Sequence, residues 1–141
     1  MSKPSPERQA LVMKAVNSSP YYRHVSMAIV AFVETGSKLE MEVKQEHLNV
    51  WGTAHGGALA SLIDSACGLA TVPVLAEDEA VVTLNLQVHY LAAVKPGKLT
   101  AFGKVVHRGR TVIVTEAEIR DASGALVAKG GTTHYIKTAK V

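Results

Sequence analysis

Asn49-Val50-Trp51-Gly52-Thr53-Ala54-His55-Gly56-Gly57 runs directly into Ala58-Leu59-Ala60-Ser61-Leu62-Ile63-Asp64-Ser65-Ala66-Cys67-Gly68-Leu69-Ala70. A glycine-rich turn of this kind is suited to opening a helix, and no proline interrupts the chain from Ala58 to Val72. Apolar residues occupy nearly every face of that segment, which is the pattern of a buried helix. The exceptions are Ser61, Asp64, Ser65 and Gly68. Spaced three or four apart, they form one narrow polar or small stripe.

The segments around this helix read as strands. His24 to Glu34 and Lys38 to Glu46 form a pair joined at Thr35-Gly36-Ser37, and Leu39, Met41 and Val43 alternate with charged residues in the second. Ala80 to Leu91, Leu99 to His107, Thr111 to Asp121 and Ala125 to Ile136 come next as four more. They are separated at Lys95-Pro96-Gly97, Arg108-Gly109-Arg110 and Asp121-Ala122-Ser123-Gly124. Val82, Leu84, Leu86, Val88 and Tyr90 alternate and are expected on one face. Ser5 to Ser18 reads as a short amphipathic helix carrying Leu11, Val12, Ala15 and Val16. The order predicts an α+β fold in which one antiparallel sheet packs on the long helix. A sheet covered on one face and open at its edges predicts self-association.

Bulk composition narrows the function. The chain has 141 residues, 48% hydrophobic and 19% charged, which fits one globular domain. No apolar run is expected to reach the ~20 residues of a membrane span, and residues 1–8 carry no signal-like apolar core. One cysteine, Cys67, forms no intrachain disulfide, so a cytoplasmic location is expected. A formal charge of +3, with scattered cations and only 5% aromatic residues, argues against a nucleic-acid partner. The histidines are dispersed and one cysteine anchors no zinc cluster. GxSxG, P-loop, GxGxxG and HExxH motifs are absent.

Chemistry concentrates at the helix. Gly56 and Gly57 leave backbone N–H groups open at its start, where the helix dipole favours developing negative charge; a plain tight turn would use the same glycines. Asp64 sits among Leu62, Ile63, Ala66 and Cys67, where a carboxylate can activate water or attack a carbonyl. Eight residues of helix separate Gly56 from Asp64 by about 12 Å. One substrate carbonyl cannot meet both in one chain, so two antiparallel copies would have to share two sites. His55 is either a turn residue or a donor to substrate. Asn49 either holds the turn or orients a ligand, and Thr83 is either an ordinary strand residue or a water-orienting hydroxyl.

Asn49, His55-Gly56-Gly57 and Asp64, at this spacing, resemble the signature of hotdog-fold acyl-CoA thioesterases of the PaaI-like and THEM2-like branch. The resemblance runs from about Tyr21 to Tyr135 and includes Tyr90-Leu91 with Gly97, the Arg108-Gly109-Arg110 turn and the strand after Gly124. It implies a hotdog fold over residues 21–141, one curved antiparallel sheet wrapped around a long central helix, after an N-terminal helical segment at 1–20. The implied activity is hydrolysis of a small aryl- or acyl-CoA thioester to the acid and free CoA, with no further cofactor.

In that reading Asp64 is the catalytic carboxylate and the Gly56 amide polarises the carbonyl. His55 supports the leaving group or carbonyl, Asn49 orients the reacting end or water, and Thr83 holds the water. Gly57, Ser61 and Gly68 are expected along the substrate, with Arg108 and Arg110 as candidates for the nucleotide phosphates. Where the family often has a basic residue and proline after Tyr90-Leu91, this chain has Ala92-Ala93. The implied assembly is a homodimer at minimum, paired into a homotetramer. The rival readings are a hotdog hydratase or dehydratase and a non-catalytic acyl-CoA-binding module.

Overall fold

A computed structural model describes residues 5–33 and 36–138. Helix α1 (Pro6–Asn17) starts where Ser5 Oγ accepts from the Arg8 amide at 3.1 Å, with Pro6 at a position that tolerates its missing N–H. A second short helix, α2 (Pro20–His24), comes at once, so Ser18-Ser19-Pro20 breaks one helix and opens another. Strands β1 (Met27–Val33) and β2 (Gly36–Val43) form an antiparallel pair. The expected strand end at Glu34 and turn residue Thr35 lie outside the described residues. The core helix α3 (Gly56–Ala70) comes next, then β3 (Glu79–Tyr90), β4 (Gly97–Arg108), β5 (Val112–Arg120) and β6 (Leu126–Thr138).

The six strands form one antiparallel sheet in the order β1-β2-β4-β5-β6-β3. The α+β class and the order of the strands around the core helix agree with the sequence reading, but the wrapped sheet does not. The sheet is open: β1 and β3 are opposite edges and do not pair, and α3 lies across one face. Width explains why. Encircling a helix at a packing distance of ~10 Å takes a circumference of ~60 Å, whereas six strands span about 24 Å. The side of α3 turned from the central strands is instead met by α2, whose Tyr21 hydroxyl lies 2.6 Å from Ser61 Oγ.

The inner face carries Leu39, Met41, Val43, Leu99, Ala101, Ala117 and Ile119, all buried against Leu59, Leu62, Ile63, Ala66 and Cys67 of α3. Contact is close at Gly103, where a Cβ would stand 2.1 Å from the Ala66 carbonyl oxygen. Ser37 Oγ donates to that same oxygen at 2.7 Å. Residues 56–74, nineteen in number with mean hydropathy 1.4, are long and apolar enough to cross a membrane, contrary to the expectation from sequence. In the fold this stretch contains the core helix, with all six strands against it.

The two edges differ. Asn17 closes β1: its amide donates to the Ile29 carbonyl at 3.1 Å and accepts from the Ile29 N–H at 2.8 Å. Among the described residues β3 has no such cover, and its Leu84 is 62% exposed. β3 also departs from strict alternation. It pairs Thr83 with His134 and Asn85 with Thr133, which leaves Leu84 in a bulge. The bulge reverses the facing of the later strand residues. Thr83, Leu86, Val88 and Tyr90 therefore share the helix side, and Val82 takes the other.

Candidate active site

The loop before α3 is tied by Asn49. Its Oδ1 accepts from the Trp51 amide at 2.9 Å and the Thr53 amide at 3.2 Å, and its Nδ2 donates to Thr53 Oγ1 at 3.1 Å. Asn49 is thus spent largely on its own turn. His55 caps the helix, its Nδ1 accepting from the Gly57 N–H at 2.8 Å. An accepting Nδ1 places the ring proton on Nε2, which leaves that N–H as a donor on an exposed side chain. The two glycine amides are therefore unequal: Gly57 is capped, while the Gly56 N–H meets no acceptor among the described residues. Tyr90, reaching over from β3, donates its hydroxyl to the Gly56 carbonyl at 2.7 Å.

Asp64 lies two turns further on, half-buried and facing β3. Thr83 Oγ1 donates to Asp64 Oδ1 at 2.9 Å and stands 3.3 Å from His134 Nδ1. His134 is 1% exposed, and its Nε2 is hydrogen-bonded to Thr132 Oγ1. Burial pushes the His134 imidazole below its ordinary pKa, partly offset by the Asp64 charge. The same environment raises the Tyr22 phenol, through burial first, with Ser65 opposing and Asp64 adding. Sequence reasoning missed His134 and the Tyr21–Ser61 contact. The alternation Ala128, Gly130, Thr132, His134, Ile136 is the signal that puts His134 on the helix side of β6.

The remaining expected residues are dispersed. Ser61 Oγ donates to the Gly57 carbonyl at 2.9 Å besides meeting Tyr21. Gly68 lies deeper, where a Cβ would come within 3.9 Å of His134 Cε1. Arg108 is bound to Glu79 Oε1 at 2.8 Å and to the Gly109 carbonyl at 2.7 Å, while Arg110 is exposed. A hollow of about 370 Å³ beside the helix start is lined by Ala54, Leu59, Tyr90 and Leu91 among others. Another, of about 180 Å³, lies on the outer sheet face at Phe102, Lys104, Glu116 and Lys129, remote from the glycines and from Asp64. Among the described residues, no three His, Cys, Asp or Glu side chains gather as a metal site.

Known proteins give this geometry a context. Residues 52–128 match the model of a family described as the thioesterase superfamily. A presumed esterase of Saccharolobus solfataricus is 35% identical over 121 residues, covering 85% of each chain. Acyl-coenzyme A thioesterase 13 of Homo sapiens is 28% identical over 131 residues, covering 89% of this chain and 91% of its own. The crystal structure of a Haemophilus influenzae thioesterase superposes with a TM-score of 0.87 at 25% identity, covering 98% of this chain and 96% of that one.

Proposed function

We propose a function from one premise: this chain belongs to the thioesterase superfamily, among its hotdog-fold members. It is a thioester hydrolase, and its substrate is an acyl-CoA thioester carrying a small aryl or acyl group. Gly56, Gly57, Asp64 and Thr83 all fall within the matched stretch. The observation that supports the mechanism most is the pairing of a free Gly56 N–H with a Thr83-held Asp64 carboxylate.

In the proposed reaction the Gly56 N–H donates to the thioester carbonyl oxygen and stabilises the charge that develops there. Asp64 Oδ1 is held by Thr83, and Oδ2 accepts a proton from water as the water oxygen attacks the carbonyl carbon. Collapse of the tetrahedral intermediate breaks the C–S bond. The proton on Asp64 then passes to the departing sulfur, giving the carboxylic acid and the free thiol. His55 Nε2–H donates to the carbonyl or the sulfur. Asn49 shapes the loop that presents Gly56. Gly57, Ser61 and Gly68 line the helix side of the substrate, and Arg110, with Arg108 shared by Glu79, serves the coenzyme phosphates.

Gly56 and Asp64 lie about 12 Å apart on one rigid helix. A carbonyl polarised by one Gly56 is therefore attacked by water held on the Asp64 of a second copy. The uncovered β3 edge, with Val82, Leu84 and Leu86 exposed, supports a homodimer at minimum, paired into a tetramer. Free-thiol release across a panel of acyl-CoAs tests the activity. Turnover that Asp64→Asn abolishes is expected. Binding without turnover in the unmodified protein would overturn the reading in favour of a binding module.

A further inference from the structure

One polar cluster belongs to neither the glycine turn nor the apolar core, and the proposed reaction leaves it unused. Thr115, Thr132 and His134 lie on the inner face of β5 and β6 and are 2%, 3% and 1% exposed. Their neighbours on that face are Ile113, Ala117, Ala128 and Ile136. Apolar side chains would fill this space without needing any partners, whereas each buried polar group must be matched. The matching runs in one line. Thr115 Oγ1 is hydrogen-bonded to Thr132 Oγ1, and Thr132 Oγ1 to His134 Nε2. His134 Nδ1 then meets Thr83 Oγ1 at 3.3 Å, and Thr83 Oγ1 meets Asp64 Oδ1 at 2.9 Å.

Proton counting fixes the direction of every link. Thr83 has one hydroxyl hydrogen and gives it to Asp64, so its oxygen can only accept from His134. His134 must therefore carry its proton on Nδ1. A neutral ring then has a bare Nε2, which accepts from the Thr132 hydroxyl, and the Thr132 oxygen accepts from Thr115. The line ends at the one partly exposed carboxylate on α3.

We propose that His134 is a positioning residue for the hydrolysis: its Nδ1–H holds the Thr83 oxygen so that the Thr83 hydroxyl hydrogen stays on Asp64 Oδ1, keeping Oδ2 for water. This rests on the reading of Asp64 as the reacting carboxylate. Without the Nδ1–H donor the Thr83 hydroxyl can rotate, and the carboxylate loses its fixed orientation.

The test uses the full chain, steady-state thiol release from the best acyl-CoA of the panel, and a melting curve for each variant. His134→Leu should lower kcat by about 10- to 100-fold with KM little changed, the size expected for misplacing a reacting group. His134→Asn places an amide N–H near the Nδ1 position and should recover most of that loss. In a Thr83→Val background, His134→Leu should cost no more than about a further twofold, since the two residues act in series. If His134→Leu fails to fold, His134→Gln, which reaches Thr132 but offers no donor at the Nδ1 position, replaces it. Wild-type kcat in His134→Leu, an Asn variant no better than Leu, or additive losses with Thr83→Val would each overturn the inference. If Asp64→Asn itself kept full activity, the reading of Asp64 would fail instead.

Discussion

Thr83 donates its hydroxyl to Asp64 Oδ1 across 2.9 Å, which joins the middle of the core helix to the open edge strand of the sheet. This bond occupies one carboxylate oxygen, and the proposed reaction assigns the other to water. Thr83→Val keeps the shape and removes the donor, so kcat should fall about 10- to 100-fold with KM nearly unchanged. Thr83→Ser should keep most of the rate. Steady-state thiol release on the two variants checks this.

Asp64→Asn should lower kcat by about 10²- to 10⁴-fold, the contribution of a positioned general base. A single turnover of the unmodified protein in ¹⁸O-water tests for attack by the carboxylate itself. With Asp64 as base, the label appears in the product acid within the first turnover. Label found in Asp64 instead would mean that the carboxylate itself attacked the thioester. Mass spectrometry of product and protein reads the difference.

Gly103→Ala tests how the helix is seated. The added Cβ would stand 2.1 Å from the Ala66 carbonyl oxygen and 2.9 Å from Ser37 Oγ, and the first of these is backbone. Relief requires α3 to lift from β4, so a loss of about 1–3 kcal/mol or more is expected in urea unfolding. An unchanged midpoint would mean that the helix does not rest on Gly103.

The buried imidazole predicts a pH-dependent stability. The groups facing it are Asp64 from α3, Thr83 from β3, Thr115 from β5 and Thr132 on its own strand, with the Cys67 thiol beyond Thr115. Only Asp64 among these is charged. Burial lowers the folded pKa of His134, so the unfolded chain binds more protons between the lowered value and the ordinary ~6.5 of a free histidine. Stability from this group is complete above ~6.5 and is lost as pH falls towards the folded value. Urea midpoints at neutral and mildly acidic pH should diverge more for the unmodified protein than for His134→Asn. Equal slopes would contradict a buried neutral ring.

Elements were legible in the sequence where their signal is local and repeated. The alternation Leu39, Met41, Val43 announced β2, and the apolar run after Gly57 announced α3, because each pattern spans several periods. The five residues of α2 complete barely more than one helical turn and carry no period, and a proline at position 20 suits the end of one helix as well as the start of the next. In β3 the alternation was visible but misleading, since the bulge at Leu84 moves Thr83 and Leu86 to one face. His134 was hidden because the alternation that carries it, through Gly130 and Thr132, is not an apolar one. The sheet's openness lay beyond local pattern altogether, as it depends on how many strands must span a helix. At the candidate site, the placement of Gly56 at the helix start and of Asp64 two turns on was legible from residue type and spacing. The detail that Gly57 is capped by His55, and that Asn49 serves its own turn, required the hydrogen bonds.

The shared site is tested most directly by complementation between two inactive chains. Gly56→Pro deletes the N–H at a helix position that accepts proline. The preceding His55, at φ −60 and ψ 137, already has the extended backbone that a residue before proline needs. Asp64→Asn removes the carboxylate. Alone, each variant should be nearly inactive. Co-expressed in equal amounts, they pair an intact Gly56 from one chain with an intact Asp64 from the other at about a quarter of all sites. Thiol release at about a quarter of the unmodified rate is the predicted result. A mixture as inactive as its two components would contradict the account, because it would place Gly56 and Asp64 in the same chain's site.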